Sequence, residues 1–423
     1  MSFPARLSAL TVLALVGCIP SIVVGDAPQD TDDATTSSPD TGTGSTGPTS
    51  STGELPTTTL STGFCGDGQH DPGETCDDGN DEPNDGCDNA CARSGRIEWT
   101  LEPDGADVVV DLVVGAAGQI VISGLSGQQT FLLALSPDGV EQWRVPMDDG
   151  KLAVHADGRI FLGTGSGELH ALSPTGAELW TVEPAGQASF FGLAAAGDHL
   201  YAGLNGQFDD DPSQRIVVRK HPLQQGAALW EAASELHSVG EDLVVLGDRV
   251  AVVGRAHVQG VEGDQSLLAV IHEGGGWLPA ELAGTPAHAS AVAASPSGGD
   301  LVLAGFGSDP ELLLQRRGAD LGELWSVTGT GTFSTTHLAA GPDERLALIG
   351  FDAGDNPSSV VRLYDGSGAL QWTSVFALTN PDLFDLPVAG AFGPDFLVVA
   401  GQVLDEVEDT THARMWVRRL ALD

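Results

Sequence analysis

Residues 169–180 read LHALSPTGAELW: an apolar strand pattern, a Pro-Thr-Gly turn and a second short strand that reaches a tryptophan. The rest of the chain restates this unit. FLLALSPDGVEQW ends at Trp143, VVRKHPLQQGAALW at Trp230, LLAVIHEGGGW at Trp277, LLLQRRGADLGELW at Trp325 and VVRLYDGSGALQW at Trp372. From Trp99 through Trp143, Trp180, Trp230, Trp277, Trp325 and Trp372 the in-phase tryptophans are 44, 37, 50, 47, 48 and 47 residues apart. A repeat of that length is one four-stranded blade of a propeller.

Working outward, the chain from Arg96 onward alternates apolar runs with Gly, Asp-Gly and Pro turns and shows no amphipathic helix, which reads as all-β. First strands are expected to open near Val108, Leu152, Phe191, Leu243, Ala291, Leu338 and Val388, giving seven units. Six of them run on into their own Trp strand. The seventh stops after Met415 and Trp416, while residues 97–100, Ile-Glu-Trp-Thr, form a Trp strand with no unit before it. Pairing the two leaves no open sheet edge there, so a seven-bladed β-propeller closed by the N-terminal strand Trp99 is predicted. Each in-phase tryptophan is expected to pack between neighbouring blades and not to form a cofactor box.

The 423 residues carry 59 acidic and 18 basic side chains, a net charge of −41, with Lys151 and Lys220 the only lysines. A phosphate backbone would be repelled by that field, which argues against a nucleic-acid partner. All five cysteines lie within the first 91 residues. Cys18 stands alone. Cys65, Cys76, Cys87 and Cys91 form an even cluster, expected to make two disulfides in an oxidising compartment, with three connectivities open.

Residues 1–17 combine Arg6 with the apolar run 7–16, too short to span a bilayer, and read as an export signal. The run ends in Leu15-Val16-Gly17-Cys18, which resembles the lipobox of bacterial lipoproteins. That resemblance implies acylation of Cys18 and attachment to a membrane by lipid alone; Ile19 after the cysteine points to the outer membrane. Residues 18–63 are expected to be a disordered tether, because 26–63 is almost wholly Thr, Ser, Gly, Pro and Asp and cannot bury enough apolar surface to order itself.

Residues 64–95 form the next unit, with FCGDGQHDPGETCDDGNDEPNDGCDNACAR over 64–93. Four cysteines among almost no aliphatic residues stand in for a core that a segment of this size cannot build. The spacing is similar to the myxobacterial-type cysteine-rich repeat, which implies an exported, disulfide-stapled module. The acids Asp71, Glu74, Asp77, Asp78 and Asp81 with Asn80 invite a calcium reading, but Pro83 and the missing glycine and glutamate depart from a calcium loop. A disulfide-only knot is preferred, and no cofactor is expected elsewhere.

Over residues 96–423 the Leu-x-Ala-Leu, turn, Gly, Trp pattern resembles the pyrroloquinoline-quinone-type propeller repeat, with Gly139, Gly176, Gly226 and Gly368 each four before their Trp. That family includes quinone-dependent dehydrogenases, an outer-membrane assembly lipoprotein and binding modules without chemistry, so fold alone does not choose. A dehydrogenase of that family would have adjacent cysteines in the propeller, and this propeller has none. His155, His199, His237, His288 and His337 stand in no catalytic motif, and the glycine runs 163–167 and 274–276 precede no helix that would cradle a phosphate. No catalytic residue and no metal ligand is assigned. The expectation is a non-enzymatic, monomeric, surface-exposed envelope lipoprotein whose propeller binds a protein or glycan. A periplasm-facing assembly or chaperone-like lipoprotein is the alternative, and a quinone-dependent dehydrogenase the remote one.

Overall fold

The structure is a computed structural model. It describes residues 65–422, apart from 72–73, 104–106, 184–186, 208–213, 225, 259–263, 273, 278–287, 307–311, 330–332, 353–357, 377–382 and 408–409. The expected signal at 1–17, Cys18 and the tether at 18–63 lie outside the described residues.

Seven antiparallel sheets follow one another along the chain after strand β1 (Ile97–Leu101). Blade one is β2 (Asp107–Val114), β3 (Ile120–Ser126), β4 (Gln129–Leu135) and β5 (Glu141–Pro146). Blade two is β6 (Gly150–Val154), β7 (Ile160–Thr164), β8 (Leu169–Leu172) and β9 (Glu178–Val182). Blade three is β10 (Gln187–Ala196), β11 (His199–Gln207), β12 (Gln214–Pro222) and β13 (Trp230–Ala233). Blade four is β14 (His237–Leu246), β15 (Arg249–His257) and β16 (Asp264–His272); blade five is β17 (His288–Ala294), β18 (Leu301–Phe306), β19 (Leu312–Arg317) and β20 (Glu323–Gly329). Blade six is β21 (Phe333–Ala340), β22 (Leu346–Asp352), β23 (Ser358–Tyr364) and β24 (Leu370–Phe376), and blade seven begins with β25 (Leu383–Phe392), β26 (Phe396–Val407) and β27 (Thr410–Ala421). Among the described residues the one helical turn is a 3-10 turn at Pro342–Glu344.

Burial explains the two sequence textures. Second strands such as β7 (IFLGT) are buried along their whole length and read as continuous apolar runs, whereas outer strands such as β5 and β20 alternate. The core is divided among seams between successive blades. Ile122 and Leu133 of blade one meet Phe396 and Val398 of blade seven, and Leu162 of blade two meets Val121 and Leu132 of blade one.

The seventh blade closes as the orphan Trp strand predicts. β1 pairs antiparallel with β27, Trp99 opposite Arg419 and Leu101 opposite Val417, and the sheet order is β1-β27-β26-β25. The Ala421 amide donates to the Arg96 carbonyl at 2.9 Å.

Blade four is described over three strands and the start of the Trp277 segment. Three strands form its sheet among the described residues, and Trp277 is joined to Ile271 by a single bridge.

The cysteine module pairs as Cys65–Cys91 and Cys76–Cys87, the nested one of the three connectivities. Its acids hold backbone in place. Asp77 accepts amide hydrogen bonds from Gly66, Gly68 and Gly79 at 2.9–3.1 Å, and Asp78 accepts from Cys87 at 3.1 Å. Among the described residues no group of three or more His, Cys, Asp or Glu side chains is placed to hold a metal ion.

The module also touches the propeller. The Arg93 carbonyl accepts from the Thr373 amide at 3.3 Å, the Gly95 amide donates to Ser374 Oγ at 2.8 Å, and Asn84 Nδ2 donates to the Val375 carbonyl at 3.0 Å. Residues 93–95 therefore run against β24 of blade six, with Ser94 only 3% exposed.

Candidate functional site

The repeated tryptophans are the first site residues to place. Four of them reach from the outer strand of their blade to the turn between the third and fourth strands of the next. The Trp99 indole donates to the Pro137 carbonyl at 3.0 Å, Trp143 to Pro174 at 3.0 Å, Trp180 to Leu223 at 3.3 Å and Trp325 to Gly366 at 3.2 Å. Gly139, Gly176 and Gly368 in these turns have φ of +77, +79 and +83°, and the ring of the preceding blade's tryptophan lies where a Cβ would stand, about 3 Å from it. The Gly-to-Trp spacing in the sequence thus joins two functions: the glycine receives one tryptophan and precedes another. Trp230 packs near Gly275 of blade four.

Trp372 is the exception. The next blade is the one made from both chain ends, so no turn joins its third strand to its fourth. Residues 93–95 lie against Trp372 instead: a Cβ on Gly95 would stand 2.7 Å from the Trp372 ring, which is 4% exposed. The tryptophans are blade-to-blade fasteners.

Polar side chains converge at the axis. The seven first strands neighbour one another in a closed ring, β2 to β6, β10, β14, β17, β21, β25 and back to β2. Six of the seven carry a β-bulge against their second strand, as at Val109/Asp111, Gly240/Asp242 and Thr335/His337, and a bulge re-aims the side chain that follows it. The ring encloses a cavity of about 340 Å³ walled by residues from every blade, among them Asp111, Lys151, Glu241, Asp242, Ser290 and His337.

Two aspartates fasten the first strands together. Asp111 accepts from its neighbour Leu112 at 2.9 Å and from the Leu152 amide of blade two at 2.8 Å. Asp242 repeats the arrangement, accepting from Leu243 at 2.8 Å and from the Val292 amide of blade five at 2.9 Å. Burial pushes the Asp242 carboxyl up to about 7, against the amides of Val292 and Leu243 and the Lys151 charge, which pull it down; Asp111 adds to the rise. Burial pushes His337 down, opposed by the Asp111 charge and reinforced by Lys151. Glu241 pairs with Arg255 at 2.8 Å.

The histidines are spread among blades. His155 lies in a turn of blade two, with Nε2 3.0 Å from the Gly197 carbonyl and Nδ1 2.8 Å from Asp157; His199, His237 and His288 open β11, β14 and β17. Among the described residues the hydroxyl that meets a histidine ring is that of Thr181, 3.1 Å from His170 Nδ1 and donating to Glu178 at 2.7 Å. Of the glycine runs expected to be turns, 274–276 and residues 165–167 are turns, whereas Gly163 and Thr164 close strand β7. The axial group was not legible in the sequence. Its members come from separate blades and share no local motif.

A family profile described as outer membrane protein assembly factor BamB matches residues 128–211, about a fifth of the chain. No curated protein matches the chain. Among solved structures, the β-propeller domain of Cps50 (Swd1) from Myceliophteria thermophila is 11% identical with a TM-score of 0.53, covering 78% of this chain and 100% of that one. A chain of the mitotic checkpoint complex is 14% identical with a TM-score of 0.55, covering 77% of this chain and 91% of that one. At such identities the likeness speaks for fold alone, and with the strand pairing above it makes this chain a seven-bladed β-propeller closed by its N-terminal strand.

Proposed function

We propose that the chain is a cell-envelope lipoprotein, anchored through acylated Cys18, whose tethered propeller acts as a non-enzymatic binding or scaffold module for a protein or glycan. The observation that supports this best is the use to which the polar side chains are put. Asp111 and Asp242 bind backbone amides of the next blade, and the histidines are dispersed, so the ring presents loops and faces in preference to a reacting constellation. The lipobox-like Cys18 and the two disulfides support an exported chain.

A second reading has its own observation. The assembly-factor profile over residues 128–211 favours a periplasm-facing assembly propeller. The remote dehydrogenase reading has no such support. A tether and disulfide module between lipid and ring favour reach beyond the membrane, and hence surface display. The test is Cys18→Ser with fractionation, combined with protease shaving of intact cells. Membrane association that is lost in the variant, and removal of the wild-type propeller by external protease, are the expected results. A soluble wild type overturns the anchor; a protected propeller that becomes sensitive only after the outer membrane is opened favours the assembly reading.

A further inference from the structure

The axial cavity holds one charge that no hydrogen bond or ion pair of its wall takes up, although its field reaches Asp242 and His337. Lys151, one of two lysines in the chain, stands near the start of β6 in the cavity wall, and among the described residues no hydrogen bond or ion pair engages its ammonium group. Lys220 contrasts with it: that side chain is 4% exposed and packs 5.5 Å from the Tyr201 ring centroid. A half-buried cationic side chain held without a hydrogen-bonded partner loses rotamer freedom and part of its solvation, offset only by the field it exerts on Asp242. The other charged groups of the wall are engaged, Asp111 and Asp242 with amides and Glu241 with Arg255. Each aspartate nevertheless keeps lone pairs beyond the two amide bonds it accepts.

We infer that this cavity binds a small zwitterion, with the ligand carboxylate on Lys151 and its ammonium group against Asp111 and Asp242. Charge selects that class. A simple anion meets more carboxylates than free cations, and a simple cation is opposed by Lys151 while leaving it unpaired. A metal ion lacks a donor set, since no three His, Cys, Asp or Glu side chains are grouped for one among the described residues. Size agrees, because about 340 Å³ is at the lower end of the range that holds small molecules. The inference goes beyond the scaffold reading and does not depend on where the protein is anchored.

The test is calorimetric titration of the purified full chain with alanine, 4-aminobutyrate and 6-aminohexanoate, with butyrate and butylammonium as single-charge probes. At least one zwitterion is expected to bind with a Kd of about 1 mM or tighter, and about tenfold more tightly than either single-charge probe. Lys151→Arg should retain that binding and Lys151→Met should lose about tenfold or more. A reading without any variant uses acetylation by an amine-reactive ester and mass spectrometry: the bound zwitterion should protect Lys151, with an added lysine-containing peptide as the reference for reagent activity. The inference is overturned if none of the three zwitterions binds at about 10 mM, if a single-charge probe binds equally well, or if Lys151 is acetylated at the same rate with and without the zwitterion.

Discussion

Asp111, Asp242 and His337 hold the same position in three different blades, the residue after the first-strand bulge, and two of the three fasten the neighbouring blade's amide. The cost of that fastening falls on Asp242, because an ionised carboxylate in the wall is desolvated. Its folded pKa of about 7 lies above the ordinary carboxylate value of 3.8, so between those values the folded state holds the proton more tightly and stability falls as pH rises. Asp242→Asn cannot ionise. Its stability relative to wild type should therefore improve as pH rises from about 4 to about 7, by at most about 1.4 kcal/mol per pH unit, and stay level above. The depressed histidines His221 and His337 act in the opposite sense but are common to both proteins, so the difference isolates the aspartate. Urea denaturation across that pH range measures it, and a difference that is flat or declines with pH contradicts the assignment.

At the scale of elements, much of the propeller was open to reading from the chain alone. Alternating outer strands, apolar second strands and the Pro-Asp-Gly or Pro-Thr-Gly turns repeat locally, so seven units and the displaced Trp99 strand could be counted. The exceptions are tertiary. The axial group of Asp111, Asp242 and His337 comes from separate blades that share no local motif. The docking of residues 93–95 on Trp372 was also invisible, because those residues are nearly 280 positions from their partners Thr373 and Ser374 in the chain. The linker occupies the place that a turn of the next blade fills elsewhere. Gly95→Leu should drive its side chain into the Trp372 ring and destabilise the protein by roughly 1–3 kcal/mol. Gly165, whose Cβ direction is open, provides the control, and Gly165→Ala should change stability by under about 0.5 kcal/mol. Equal effects in thermal unfolding would mean that the linker does not pack there.

For the molecule as a whole, closure depends on the two ends of the ring-forming chain meeting in one sheet. Arg419 shows how many parts converge there: it pairs with Glu98 of β1, stacks 4.3 Å over the Phe396 ring of β26 and donates to the Pro137 carbonyl of blade one at 2.9 Å. Pro137 accepts the Trp99 indole as well, so removing β1 strips a strand, a tryptophan fastener and part of the seam between blades seven and one. Loss of a fully buried large aromatic costs about 3–5 kcal/mol, an upper bound for the half-buried Trp99 and a substantial share of a domain's stability of about 5–15 kcal/mol. The amides of β27 report on this directly. Hydrogen exchange should be measured in a chain beginning at Arg96 and in a chain that lacks residues 96–103 as well. The first should keep Val417–Leu420 slow while exposing the Thr373 amide that the Arg93 carbonyl covers; the second should exchange rapidly along Val417–Leu420. Equal, slow exchange of those β27 amides in both chains would contradict closure of the ring by the N-terminal strand.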